Sequence, residues 1–145
     1  TTEGGLDAAR QHNHLAPFIR QLKDNGSKVS LFIEPDMVQL AAAYQLGASI
    51  TEFHTGRFVE LCQAGEGALA GEELERIRAC AERAVELGIE PQAGHGLTYD
   101  TVTPIAEIPE LTELNIGHFI IGEAVFVGLE AAIREMRRLM DEARA

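Results

Sequence analysis

Glu52 and His54 stand two residues apart, His95 lies between Gly94 and Gly96, and Gly117-His118 follows Asn115, each group closing a short apolar run. Three of the five histidines thus occupy equivalent places in the chain. Residues two apart on a strand point to the same side, so Glu52 and His54 share a face, with Thr55 and Gly56 opening the loop beyond. A carboxylate and imidazoles gathered in this way can deliver, accept and hold protons. Plainer roles compete: Glu52 as the partner of a cation, His54 as a packed ring bonded to a carbonyl. For His95 the flanking glycines let a ligand approach the backbone and leave the ring little to pack against, which favours function. Gly117 and His118, ahead of Gly122 and a final helix, mark a place where backbone N–H groups can hold phosphate; a tight turn needing the two glycines is the alternative. His12 and His14 fall early on a helix, away from this rim, and read as solvated. Glu34 ends the first apolar run and receives no catalytic task.

Other chemistries lose their markers. No two of the Glu and His candidates lie at the i, i+4 helix spacing of a zinc pair, so a metal is the weaker reading and none is expected. The patterns GxSxG and GxxxxGK[ST] are both missing from the sequence, which removes the usual signs of serine catalysis and nucleotide triphosphate binding. Cys62 and Cys80 have no CxxC spacing and read as free thiols of a reducing compartment. A formal charge of −11 argues against nucleic acid or an anionic membrane as partner, though backbone N–H groups can still bind a small anion. No apolar run reaches the roughly 18 residues of a membrane helix, and a cytoplasmic setting is the default.

The elements that must position these residues alternate. Helical spacing of Leu15, Phe18, Ile19 and Leu22 predicts a helix over Asp7–Asn25 after a polar loop, Thr1–Gly5. Lys28–Glu34 reads as a strand covered on both faces, and Asp36 as the cap of a helix from Met37 to Leu46. A strand over Ser49–His54, a loop through Gly65 and Gly67, and a helix from about Glu72 to Leu87 follow. Ile89–Gly94 is a third strand, succeeded by a short helical piece interrupted by Pro104; Leu111–Ile116 is a fourth, succeeded by a helix over Ala124–Arg144. Four strand–helix units imply an α/β fold with a parallel sheet, open and doubly wound or part of a closed barrel. Closure takes eight units over about 250 residues. The polar opening, with no strand ahead of the first helix, predicts a chain cut inside a strand–helix loop: residues 1–145 as the C-terminal half of a single (β/α)8 TIM-barrel domain, its N-terminal strands missing. A complete four-stranded fold is the alternative. Exposed edge strands predict association of the isolated chain.

The strings Thr1-Thr-Glu-Gly-Gly-Leu-Asp7, Val29-Ser-Leu-Phe-Ile33, Glu52-Phe-His-Thr-Gly56, Ala93-Gly-His-Gly-Leu-Thr98 and Glu113-Leu-Asn-Ile-Gly-His118, in this order, resemble the pyridoxine 5′-phosphate synthase family across essentially the whole chain. The resemblance implies condensation of 1-deoxy-D-xylulose 5-phosphate with 3-amino-2-oxopropyl phosphate to pyridoxine 5′-phosphate, inorganic phosphate and water, without metal or organic cofactor. It also implies a homo-octamer of barrels. His95 matches the family's proton donor and Glu52 its carboxylate facing cationic intermediates. Thr1, Gly96, Gly117 and His118 match substrate- or product-binding positions, Thr1 on a loop that closes over the site. The family's two general bases belong to strands ahead of Thr1, so the chain alone is expected to be inactive. Gln92 and Glu123 depart from the family pattern, which has an asparagine and a basic residue there. A non-catalytic phosphate-binding half barrel and another sugar-phosphate lyase or isomerase are the competing functions.

Overall fold

The computed structural model describes residues 4–145. Its elements run α1 (His12–Asp24), β1 (Ser30–Ile33), α2 (Met37–Leu46), β2 (Ile50–His54), α3 (Gly56–Gln63), α4 (Gly67–Glu86), β3 (Glu90–Gly94), α5 (Val102–Ala106), β4 (Glu113–Asn115), α6 (His118–Val127) and α7 (Leu129–Glu142). The four strands pair in parallel in chain order, β1-β2-β3-β4. Each crossover passes through helix, as parallel neighbours require.

Register decides what each face carries, because paired residues on parallel strands point the same way. Leu31 and Ile33 align with Thr51 and Phe53, and these with Pro91 and Ala93. All six are buried, and this face forms the core with Leu40, Ala43, Ile77, Ala81 and Ala84 from α2 and α4. The other face carries Phe32, Glu52, Gln92 and Glu113 in one registered row and His54, Gly94 and Asn115 in the next. Phe32, Glu52, His54 and Asn115 there are only half-buried. β1 is therefore covered on one face, not both: Ser30 is exposed and Phe32 half-buried because no helix lies over them. Helices on one face and side chains on the other, with no reversal of strand order, are the arrangement of one half of a (β/α)8 barrel.

Several element boundaries differ from expectation. The segment after His54 is helical: α3 starts directly at Gly56, and burying Phe58 and Val59 stabilises it. α4 starts at Gly67 rather than Glu72, its buried stripe beginning with Ala70. Pro104 does not interrupt α5, since it sits in the first turn, where a missing N–H is no loss. The last helix is two: the backbone at Gly128 (φ 88°, ψ 149°) leaves the helical region and separates α6 from α7. Gly122 accordingly lies within α6, not in a turn. α1 begins at His12, later than Asp7, after a turn tied by Asp7 and Gln39, whose side chains are 3.0 Å apart. Asp36 caps α2 as expected, accepting from Val38 N at 2.8 Å and Gln39 N at 3.1 Å.

A buried carboxylate ties the helices near the strand ends. Glu73 on α4, 3% exposed, accepts from Arg76 at 2.6 Å and lies 3.6 Å from Arg57 on α3. Arg76 also donates to the carbonyl of Pro35 beyond β1, at 3.1 Å. No described helix is long and apolar enough to cross a membrane.

Candidate functional site

The C-terminal ends of β2, β3 and β4 and the start of α6 surround one cavity of about 620 Å³, lined by Glu52, His95, Gly96, Asn115, Gly117 and His118 among others. Five of the six expected site residues thus meet in one place; the sixth, Thr1, lies outside the described residues. The convergence comes from register. Glu52 points from the open face of β2, His95 and Gly96 follow the end of β3, and Gly117-His118 follow β4.

Burial raises the Glu52 carboxyl above its ordinary value of 4.5, the nearby charge of Glu113 adding to the rise, while a hydrogen bond from Asn115 and the proximity of His54 oppose it. Asn115 also reaches the side-chain oxygen of Gln92, at 3.4 Å, so the residue that departs from the family pattern at position 92 belongs to the polar row beneath the cavity. Gly94 makes this crowding possible: a Cβ there would stand 2.7 Å from the carbonyl oxygen of Asn115 and would strike Glu52 Oε1.

His95 has a left-handed backbone, φ 84°, and Gly96 follows at φ 81°. For a residue with a Cβ this conformation is disfavoured by about 1 kcal/mol or more. Its ring lies 4.7 Å from that of His54, and Phe32 stands edge-on to His54 at 5.1 Å. His54 is therefore packed, as its plainer role had it, but not against a carbonyl: its Nδ1 lies 3.3 Å from Glu34 Oε1, without hydrogen-bond alignment. Glu34 also accepts the Gly5 N–H at 3.0 Å. A row Glu34–His54–His95 results, running from β1 to β3, which the strand-end residues taken singly did not disclose.

Gly117 precedes α6, and His118, its first residue, is exposed on the cavity rim. Gly117 at the N-cap brings no side chain to cap this helix, and the N–H groups of a first turn left in this way can bind an anion. Glu123 is not among the cavity-lining residues; its charge acts on Tyr99, which is packed against Phe119 at 4.7 Å. Among the described residues, no group of three or more His, Cys, Asp or Glu is gathered closely enough to hold a metal. His14 is exposed, whereas His12 is half-buried with Nε2 inaccessible and unpartnered, so only His14 matches the solvated reading.

Residues 1–142 match the family described as pyridoxal phosphate biosynthesis protein PdxJ. The chain is 55% identical over its whole length to a pyridoxine 5′-phosphate synthase of Ruegeria pomeroyi, covering 58% of that protein. It is 54% identical to the proteins of the same name from Rhodospirillum rubrum, over 99% of the chain and 56% of the relative, and from Zymomonas mobilis, over 100% and 55%. The chain spans less than three fifths of these relatives' length.

Proposed function

Since the chain belongs to the PdxJ family of pyridoxal phosphate biosynthesis proteins, we propose that the protein carrying it is a pyridoxine 5′-phosphate synthase. It condenses 1-deoxy-D-xylulose 5-phosphate with 3-amino-2-oxopropyl phosphate and releases pyridoxine 5′-phosphate, inorganic phosphate and water. The observation that carries the reading is the convergence of Glu52, His95, Gly96, Gly117 and His118 on one cavity at the C-terminal ends of the strands, where barrel enzymes hold their active sites.

Schiff-base formation, dehydration and phosphate loss each need a proton delivered or removed at a fixed place. His95 delivers protons from the end of β3. Glu52, half-buried beside it, holds negative charge where a cationic imine would form, and its partial desolvation strengthens that attraction. The first-turn N–H groups of α6, with Gly96, Gly117 and His118, hold a substrate phosphate; backbone N–H groups can do so despite the negative net charge, and Glu123 is not among the residues lining the cavity. Thr1 belongs to the substrate contacts by resemblance. The homo-octameric assembly and the absence of a cofactor rest on the same resemblance, and the cytoplasmic setting goes with them. The 145-residue chain by itself is inactive on this reading, because the two general bases stand on strands outside it.

The test is product formation from the two phosphorylated substrates by the natural protein beside its His95→Asn and Glu52→Gln variants. Loss of about 10²–10⁴-fold in both variants is expected. A folded natural protein that binds inorganic phosphate but forms no product would replace the synthase with the non-catalytic phosphate-binding barrel.

A further inference from the structure

We infer that Thr55 is a positioning residue that holds His95 in its left-handed backbone conformation and so aims the imidazole into the cavity. The inference rests on the role given above to His95. Thr55 is fully buried and directly precedes α3. Threonine in that place commonly turns its hydroxyl onto the first N–H groups of its own helix, yet here it makes no such bond. The hydroxyl reaches across to the neighbouring strand, where Oγ1 lies 2.7 Å from the carbonyl oxygen of Gly94 and 2.6 Å from that of His95. The Thr55 N–H donates to the same Gly94 carbonyl at 2.8 Å.

These two carbonyls flank the His95 Cα. Rotation about φ of His95 turns the peptide that carries Gly94 O, and rotation about ψ turns the one that carries His95 O. A single donor within reach of both therefore restrains both dihedrals. The hydroxyl has one proton, which serves one carbonyl at a time, while the backbone N–H of Thr55 keeps hold of Gly94 O. A residue with φ 84° would otherwise relax to negative φ, and its ring would leave the cavity. Gly56 completes the arrangement: a Cβ there would lie 3.1 Å from His95 Cδ2 and 2.7 Å from His54 Cε1, so its absence leaves room for both rings.

The test compares Thr55→Val, which keeps the shape and removes the donor, with Thr55→Ser, which keeps the donor, in the natural protein. In Thr55→Val, kcat is expected to fall about 10–100-fold, as a misplaced catalytic group does. KM should rise far less than kcat falls, because Gly117, His118 and the first turn of α6 lie on another loop and keep their phosphate contacts, Gly96 alone adjoining His95, and Thr55→Ser should recover most of kcat. Crystal structures of the two variants should show His95 at negative φ with valine and at positive φ with serine. Equal loss in both variants, or full kcat and an unchanged His95 φ in Thr55→Val, overturns the inference. Should Thr55→Val not fold, Thr55→Cys, a weak donor, takes its place. If the natural protein forms no pyridoxine 5′-phosphate, the functional reading fails, and the His95 dihedrals still decide the role of Thr55.

Discussion

Gly94→Ala places a methyl group between β3 and β4, against the residue registered with it. The new Cβ would lie 2.7 Å from the carbonyl oxygen of Asn115 and 2.9 Å from its Cβ, besides meeting Glu52 Oε1. The carboxylate tip can swing aside. The carbonyl belongs to the backbone of β4, at the residue registered with Gly94, and moves only with its strand. Ordinary contact begins at 3.4 Å, so β4 must retreat by 3.4 − 2.7 = 0.7 Å at that point. Overpacking of this kind costs about 1–3 kcal/mol, equivalent for a chain of this size to a fall of roughly 3–10 °C in Tm. Gly71→Ala is the matched control: Gly71 is exposed within α4 and an added Cβ meets nothing within 4 Å. There the same substitution should stabilise by about 0.5–1 kcal/mol, because alanine loses less backbone freedom in a helix. Urea denaturation of the natural protein and both variants, followed by circular dichroism, measures the pair. A Gly94→Ala protein within about 0.5 kcal/mol of its parent, with Gly71→Ala stabilised as expected, would refute the claim that strand spacing here depends on a missing side chain.

Burial raises the Glu52 carboxyl above the ordinary 4.5, so the folded chain binds that proton more tightly than the unfolded one. Stability from this group therefore falls as pH rises from 4.5 through the raised value, and is level above it. Glu52→Gln removes this decline, and the variant should gain stability relative to its parent at neutral pH but not in acid; denaturation at both pH values checks the sign. Asp36→Ala leaves the Val38 and Gln39 N–H groups without their cap and should destabilise by about 1 kcal/mol, measured as a shift in the urea midpoint at constant slope.

Much of the architecture is written in local pattern. The strands follow apolar runs too short for helices, and the Asp36 cap follows from its residue type ahead of a helical stretch, because each depends on nearest neighbours along the chain. The grouping of Glu52, His95, Gly96, Gly117 and His118 was legible for a related reason: polar residues that end successive parallel strands must share one rim. α3 carried a helical signal in Phe58, Val59 and Cys62, obscured by Thr55-Gly56 in front and the glycines behind. The division of the last helix at Gly128 was hidden by apolar residues on both sides.

What the tertiary structure alone decided are the relations between strands. That His54 stands beside Glu34 and His95 depends on how the strand ends lie against one another, register setting His54 opposite Gly94 and the left-handed turn after β3 following with His95, none of which spacing within a strand reports. The positive φ of His95 is uncommon for a residue with a Cβ and persists through the hydroxyl of Thr55, whose acceptors lie 39 and 40 residues away. Sequence by itself determined which groups arrive at the rim, since local propensity and alternation act over a few residues; packing and register between distant segments determined which of them touch, how they are turned and which one is held under strain.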